Sequence, residues 1–394
     1  MRSILITLGV MLLIASSAWA GTETVLYNFS GSDGANGGGR PVLDGSGNLY
    51  GTTLGGGSCG DGTVFEFSSG GTETLLYSFC GSDGSAPFGD MIRDSSGTFY
   101  GTTFKGGSND CGTVWKLSGS TLTTLHSFTC TDGGTPFAGV IRDKQGDIFG
   151  TATDGGMYGY GVAFEISSSG TFSVLHDFCL DQCTDIDGAF PEGLAIDAAG
   201  NLYGTTQYGG DLSCHHTGGP GCGTVFELSM SNGKWKEKIL HRFKQHEGVV
   251  PIAAPTLTVR RVGGKKQNVL FGTTIGGGTF YGAVFEMIQS ASGYSFETIH
   301  AFTGGDGKYP TGALTLQNGV LYGTTSGGSA GKGTVFKLTR TGKSWNNTVL
   351  YSFTGKKDGD YPFSGVAVDP TGNLYGETQY GGNQRMGVLY EVKP

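Results

Sequence analysis

Acidic and histidine side chains near the middle of the chain are the groups best suited to ligand binding or acid–base chemistry. Five of them lie in three neighbouring segments that interrupt a regular pattern: Asp181, Asp185, His215, His216 and Glu247. Carboxylates and imidazoles can hydrogen-bond a polyhydroxylated ligand, and two of them can act together as general acid and base. The residues therefore support a binding site or an enzyme site, and no catalytic residue is assigned.

The eight cysteines are distributed as pairs over four successive segments of the chain. An even number in an exported protein favours disulfides, although eight cysteines allow 105 connectivities. We expect pairing within each segment: Cys59 with Cys80, Cys111 with Cys130, Cys179 with Cys183, and Cys214 with Cys222. A zinc site at Cys214, His215, His216 and Cys222 is the alternative, because thiolates and imidazoles ligate zinc.

An acidic residue followed by glycine occurs seven times, shortly before proline in most cases. The seven residues are Asp33, Asp83, Asp132, Asp187, Glu247, Asp306 and Asp358. An Asp at this place in a turn accepts hydrogen bonds from nearby backbone N–H groups, and this interpretation is favoured. A calcium site is the alternative, since calcium takes several oxygen ligands. We predict no cofactor and no metal, with calcium as the open alternative.

These residues are placed by a repeat of about 50 residues that occurs seven times. Its clearest mark is a Y-G-T-T motif, seen as Tyr50–Thr53, Tyr100–Thr103, Phe149–Ala152, Tyr203–Thr206, Phe271–Thr274, Tyr322–Thr325 and Tyr375–Thr378. A second motif, L-[YH]-x-F, also recurs seven times. Four histidines replace its tyrosine, and we expect them to be packed residues of an outer strand rather than bases: His126, His176, His241 and His300.

Each repeat contains four short β-type runs separated by turn residues. In the second repeat the runs are 88–92, 98–102, 113–117 and 121–128, which we name strands a to d. This pattern predicts an all-β fold, a seven-bladed β-propeller of four-stranded blades. The chain begins with a d-type run from Glu23 and ends with a c-type run, so the N-terminal strand is expected to complete the last blade.

Glycine is unusually frequent, with 75 in 394 residues. Many of these glycines recur at fixed positions of the repeat, which indicates turns, bulges and close strand approach rather than disorder. Residues 21–394 are therefore expected to form a single domain. Residues 1–20 have the pattern of a secretory signal peptide, with Arg2, an apolar run and an A-x-A site at Ala18 to Ala20. We expect cleavage near Ala20, no membrane span and a secreted, periplasmic or envelope location.

The repeated Y-G-T-T, G-G, G-T-V-F and L-Y-S-F motifs resemble the GloVer tandem-repeat proteins of bacterial cell envelopes. The resemblance extends from Glu23 to Val392, and His300-Ala301-Phe302 also resembles a related extracellular family named for an H-A-F motif. The hairpin at Ala195 to Tyr203 is similar to those of NHL-type propellers. The GloVer resemblance implies an exported repeat protein of undetermined biochemistry and identifies no catalytic residue.

Two surfaces depart from the repeat. The loops around blade 4 carry the five polar residues named first. On the opposite face, the lengthened hairpins of blades 4 and 5 carry seven cations: Lys234, Lys236, Lys238, Arg260, Arg261, Lys265 and Lys266. They form a solvated face or a docking site for an anionic polymer. The formal net charge of -8 disfavours nucleic-acid binding.

The leading hypothesis is an exported, monomeric module that binds an extracellular glycan or protein, with binding favoured over catalysis. The first alternative is a carbohydrate-active enzyme, a polysaccharide lyase or glycosidase, with its site at the channel mouth near blade 4. The second is a purely structural envelope protein.

Overall fold

The computed structural model describes residues 21–180, 187–216, 219–277, 281–328 and 331–394. The predicted signal peptide lies outside these ranges. So do Asp181, Cys183 and Asp185, and so does the side chain of His216. The described part of the chain contains no helix long and apolar enough to cross a bilayer.

Seven four-stranded antiparallel sheets form the blades of a propeller, as the repeats predict. Strands a to d are Val42–Leu43, Leu49–Gly55, Thr63–Phe67 and Glu73–Ser78 in blade 1; Ile92–Arg93, Phe99–Thr103, Thr113–Ser118 and Thr121–Ser127 in blade 2; and Ile141–Arg142, Ile148–Ala152, Val162–Ile166 and Phe172–Asp177 in blade 3. They are Ala189–Ile196, Leu202–Tyr208, Thr224–Ser231 and Lys234–Arg242 in blade 4; Thr256–Val262, Lys265–Thr274, Ala283–Ser290 and Gly293–Ala301 in blade 5; and Thr315–Gln317, Val320–Thr325, Thr334–Thr341 and Ser344–Ser352 in blade 6. Blade 7 contains Ala367–Val368, Leu374–Glu377, Val388–Lys393 and Thr22–Asn28. Two short pieces lie outside this scheme, Ala35–Gly37 beside strand b of blade 1 and a small hairpin of His215–His216 with Gly219–Pro220.

The first strand of the described chain closes the ring. Thr22–Asn28 pairs antiparallel with Val388–Lys393, and the backbone N–H of Gly21 donates to the carbonyl of Leu350 in blade 6. The last blade is thus built from both ends of the domain, which confirms the predicted closure. Such closure leaves only short, protected sheet edges.

The inner strands are shorter than the sequence predicts. In blade 2 the expected run 88–92 is strand only at Ile92–Arg93, whereas the other three runs match within about two residues. The segment before Ile92 runs against the neighbouring blade instead of along its own sheet. A Cβ at Gly89 would collide with the backbone of Ala138 and Gly139. Glycine is needed there because the backbones of adjacent blades touch.

The hydrophobic core lies between adjacent blades. The phenylalanine of each L-[YH]-x-F motif is fully buried, and its ring contacts an aromatic side chain of the next blade, as in Phe79 with Trp115 at 5.7 Å and Phe128 with Phe164 at 5.4 Å. The backbone N–H of this phenylalanine donates to the carbonyl of the glycine that opens the G-T-V-F motif of its own blade, as in Phe128 to Gly112 at 3.1 Å. One residue type thus joins successive blades.

The seven acidic turn residues have one structural role. Each accepts a hydrogen bond from the Tyr hydroxyl or lies beside the His Nε2 of the preceding motif, as in Tyr27 with Asp33 at 2.6 Å and His300 with Asp306 at 2.9 Å. Each also accepts a backbone N–H, for example that of Thr303 at 2.8 Å. The interpretation as turn chemistry is confirmed. His126 stacks on Phe172 at 3.7 Å, as expected for a packed residue.

Disulfides lie in the loops on one face of the ring, two of them joining a b–c loop to a d–a loop and one closing the b–c loop of blade 4. The structure contains the predicted bridges Cys59 to Cys80, Cys111 to Cys130 and Cys214 to Cys222. Cys179 is also disulfide-bonded, and its predicted partner lies outside the described residues. Because Cys214 and Cys222 are bonded to each other, they cannot serve as zinc ligands.

Candidate functional site

A cavity of about 490 Å³ lies on the axis of the ring. The segment that precedes or begins strand a lines it in every blade, from Gly38 in blade 1 to Gly365 in blade 7. These segments follow the d–a loops, so one end of the cavity lies at the face that carries the d–a and b–c loops. We name this face the loop face and the opposite one, which carries the a–b and c–d turns, the hairpin face.

Each blade contributes one residue to a ring at the mouth of the cavity. This residue comes from the segment that precedes or begins strand a. We name these residues the mouth ring: Gly38, Phe88, Phe137, Glu192, Ile252, Thr311 and Phe363. Three of them are partly buried phenylalanines in mutual contact, with ring centroids 4.2 Å apart for Phe88 and Phe137 and 5.0 Å apart for Phe88 and Phe363. Much of the mouth is therefore aromatic.

Glu192 is the polar member of the mouth ring with an unused hydrogen-bonding atom. Its side chain is fully buried, its Oε1 accepts a hydrogen bond from Gln207 Nε2 at 2.5 Å, and its Oε2 has no partner among the described residues. Burial raises the pKa of Glu192 well above its ordinary range, against the smaller effect of the Gln207 hydrogen bond. Burial thus favours the protonated form, a carboxylic acid whose hydroxyl can donate to a ligand.

Charged groups cross the cavity deeper in the ring. Arg40 Nη2 lies 3.2 Å from Asp90 Oδ2, and the Arg40 backbone N–H donates to Asp90 Oδ1 at 2.7 Å. Arg40 Nη1 also donates to Thr315 Oγ1 of blade 6 at 3.2 Å. This contact joins blades 1, 2 and 6 and leaves the guanidinium and the carboxylate about one third exposed to the cavity.

The residue two places before each mouth-ring member has a left-handed backbone. The φ angles lie between 48° and 63° for Asn36, Ala86, Thr135, Phe190, Val250, Tyr309 and Tyr361. Each backbone N–H donates to a b–c loop carbonyl of the preceding blade, as in Tyr309 to Tyr281 at 2.8 Å. Non-glycine residues rarely adopt this conformation, and such strain is concentrated at functional sites. The backbone is the same in all seven blades while the side chain differs.

Two of these strained residues border a second cleft of about 400 Å³ on the loop face. Tyr309, which is 45% exposed, and Tyr361 line it together with Ile252, Thr311 and Phe363, which also line the axial cavity. The cleft therefore continues the axial cavity outward between blades 5 and 7. Apolar walls with few convergent polar groups are typical of small-ligand sites.

The five residues predicted from blade 4 are only partly described. Glu247 Oε2 lies 3.0 Å from His241 Nε2 and accepts the backbone N–H of Lys244, so its carboxylate is used in the turn. His215 is exposed in the small b–c hairpin. Neither residue lines the axial cavity or the cleft. Within the described ranges no group of three or more His, Cys, Asp or Glu residues is arranged to hold a metal ion.

Two buried carboxyls, Glu192 and Glu377, were not predicted from the sequence. Glu192 stands where other blades place Phe, Ile, Thr or Gly, and Glu377 replaces the first Thr of the Y-G-T-T motif. Each was visible as a departure from the repeat. Burial was not visible, because a charged residue in a short inner run is usually exposed.

The model of a family described as the Gloeobacter/Verrucomicrobia repeat matches residues 15–218 and 212–394. No curated protein sequence matches the chain.

Among solved structures, an ulvan lyase of a new polysaccharide lyase family, bound to -[GlcA(1-4)Rha3S]-, is similar with a TM-score of 0.52 and 11% identity over 92% of this chain and 96% of that one. A second structure of the ulvan lyase gives a TM-score of 0.51 with the same identity and coverage. A triple mutant of AofleA from Arthrobotrys oligospora gives 0.42 at 9% identity, over 84% of this chain and 91% of that one. At these identities the likeness shows the propeller fold alone.

Proposed function

The chain belongs to the Gloeobacter/Verrucomicrobia repeat family, and on that premise we propose that it is an exported glycan-binding module with its site at the mouth of the axial cavity. The observation that carries this proposal is the composition of the mouth ring, which combines three contacting phenylalanines with a buried carboxyl, one of whose oxygens has no hydrogen-bond partner among the described residues. Export is supported by the apolar N-terminal segment and by the disulfides.

A sugar fits this combination of groups. Pyranose rings present apolar C–H faces, for which the aromatic rings of Phe88, Phe363 and Tyr361 offer large, rigid contact surfaces. Sugar hydroxyls accept and donate hydrogen bonds, and a neutral Glu192 can do both. Since burial favours the uncharged carboxyl, binding a neutral sugar there does not require a buried ion to be left unpaired.

The residues around the mouth of the cavity explain how one scaffold can select among ligands. The strained positions before the mouth ring keep their backbone hydrogen bonds in every blade, yet the side chains range from Ala86 to Tyr309. Binding residues on loops held by a rigid scaffold are a common arrangement in proteins. The exposed Tyr309 and the cleft beside it extend the site toward one side of the ring, which suits an elongated glycan better than a spherical ligand.

The test is retention of the purified chain on a panel of neutral and anionic polysaccharides. Glu192→Leu and Phe363→Ala should each weaken retention about tenfold, because each removes a contact from the centre of the site. Met157→Ala is the matched control, since Met157 is 76% exposed on the loop face and lines neither cavity. Equal retention of all four proteins would overturn the proposal.

An enzyme acting on polysaccharide is the second candidate, favoured by the raised pKa of Glu192, which is the property of a general acid. Glycosidases use a second carboxyl about 5 to 10 Å away, and Asp90 lines the same cavity. Release of reducing ends or unsaturated products from a retained polysaccharide would identify an enzyme. Glu192→Gln should then abolish turnover while binding remains. Retention without product supports the module alone.

A further inference from the structure

The hairpin face differs in charge from one blade to another. In five blades the turn between strands a and b contains an aspartate that accepts two backbone N–H groups, as Asp94 does from Ser96 at 2.9 Å and Thr98 at 3.0 Å. The five residues are Asp44, Asp94, Asp143, Asp197 and Asp369. Around most of the ring, the a–b turn on this face therefore carries an aspartate.

In blade 5 the turn between strands a and b carries positive rather than negative charge. Its strands a and b are extended to Thr256–Val262 and Lys265–Thr274 and are joined by Gly263 and Gly264 alone, with φ of 57° and 81°. Two consecutive positive φ angles define the tight turn preferred in two-residue hairpins. In place of an aspartate, the tip carries the exposed cations Arg261, Lys265 and Lys266. We name these three residues the blade 5 tip.

The arrangement of these cations is unfavourable for stability. Arg261 lies directly opposite Lys266 in the strand register, and like charges in that relation destabilise a hairpin. In the described chain none of the three forms an ion pair, and Arg261 Nη1 donates only to the Gly264 carbonyl at 3.2 Å. Because these exposed charges are not used in an ion pair within the described chain, they are available to an anionic ligand.

Neighbouring cations extend the positive surface in two directions. Lys234 and Lys236 alternate as exposed residues on strand d of blade 4, on the side opposite Trp235, which packs on Phe149 of blade 3. Toward blade 6, Arg260 Nη1 and Arg340 Nη1 share the buried Glu286, at 2.7 and 3.7 Å from its Oε1. Two guanidinium groups on one carboxylate leave a net positive charge.

We propose that the blade 5 tip, flanked by these cations, docks an anionic polysaccharide on the hairpin face. The charges are spread over hairpins of three blades, so the complementary ligand is a polymer rather than a small anion. The acidic turns of the other blades repel such a polymer and restrict it to this sector. The proposal is independent of the glycan site at the axial cavity, which opens on the opposite face.

The experiment measures binding of the full chain to heparin and to polygalacturonate, with neutral dextran as the reference. Triple replacement of Arg261, Lys265 and Lys266 by glutamate should raise Kd for both anionic polymers about tenfold and flatten the salt dependence, because fewer counterions are released. The matched control is Lys105→Glu with Lys356→Glu and Lys357→Glu, which changes the net charge equally on the loop face.

A triple replacement by glutamine keeps the result interpretable if charge reversal disturbs folding, and it should raise Kd in the same direction. An equal loss in the control triple, or no loss in the tip triple, would overturn the proposal. Equal affinity for double-stranded DNA would overturn it too, since the surface would then recognise charge alone. If the blade 5 tip proves not to bind anionic polymers, the retention of neutral glycans at the mouth of the cavity is unaffected. If the mouth proves not to bind glycans, the result for the blade 5 tip is likewise unaffected.

Discussion

Glu377 provides a stability prediction whose sign depends on pH. Strand b of the other six blades has Thr at this position, and in four of them the Thr hydroxyl bonds a backbone carbonyl of the next blade, as Thr324 Oγ1 does to Ser364 at 2.6 Å. Glu377 is 2% exposed and neither of its oxygens forms a well-aligned hydrogen bond. It packs where Gly37 and Gly51 leave room, since a Cβ on either glycine would collide with it.

Burial raises the pKa of Glu377 well above its ordinary value of 4.5, an effect opposed by the Gly38 N–H and reinforced by Asp90. Keeping this carboxyl neutral at pH 7, where the unfolded chain is ionised, costs about 3 kcal/mol. Replacement by Thr removes that cost and leaves a cavity of about two heavy atoms, worth roughly 1 kcal/mol. Glu377→Thr should therefore stabilise the fold by about 2 kcal/mol at pH 7.

The assay is thermal unfolding at pH 7 and pH 5. With an unfolding entropy of about 2 cal/mol/K per residue, 2 kcal/mol raises the Tm of a domain of this size by about 2 to 3 °C. At pH 5 the protonation cost falls below about 1 kcal/mol, so Glu377→Thr should not be more stable than the parent. Glu377→Gln, which keeps the shape, should be relatively more stable at pH 7 than at pH 5. A Tm difference independent of pH, or destabilisation at pH 7, would refute the reasoning.

Three further predictions concern the ring and its bridges. Burial and the nearby Asp358 raise the pKa of Glu23 to about 7, against a hydrogen bond from Tyr351, so the folded state binds this proton more tightly than the unfolded state. The stability that Glu23 contributes is present below pH 4.5 and is lost as the pH rises to 7. Between pH 5 and pH 8 the Tm of Glu23→Gln should therefore fall less than the Tm of the parent chain. Replacing Cys111 and Cys130 by Ser should cost about 3 kcal/mol, and replacing Cys214 and Cys222 about 0.8 kcal/mol less, because their sequence separations are 19 and 8. Calorimetry decides this, and a larger loss from the shorter bridge would contradict the chain-entropy argument. Deleting Thr22–Asn28 should expose the edge of Val388–Lys393 and cause concentration-dependent association in sedimentation experiments, whereas a monomer of unchanged Tm would contradict the closure.

The architecture could be predicted from the sequence because it is repeated. Seven copies of the same motifs give seven blades, and a d-type run before a c-type end gives the closure. The acidic turns were predictable for the same reason, since Asp before Gly acts locally. The length of strand a in blade 2 was overestimated. The strand is shortened by the close approach of Gly89 to the backbone of Ala138, which belongs to another blade.

The site was harder to predict than the scaffold. Phe88, Phe137 and Phe363 are far apart in sequence and meet only because the ring brings every inner segment to one axis. The blade 4 loops attracted attention through their length and polarity, whereas Glu192 is one residue in an inner segment of that same blade. Its importance comes from burial and from the lack of a partner for one oxygen, which depend on the tertiary structure.

The most direct test of the central proposal is an equilibrium titration of the best-retained glycan against the parent chain, Glu192→Gln and Glu192→Leu. Gln keeps the size and hydrogen-bonding capacity of the neutral acid, so its Kd should stay within about threefold of the parent value, while Leu should weaken binding about tenfold or more. Equal Kd values for all three proteins would contradict a glycan site at the axial cavity.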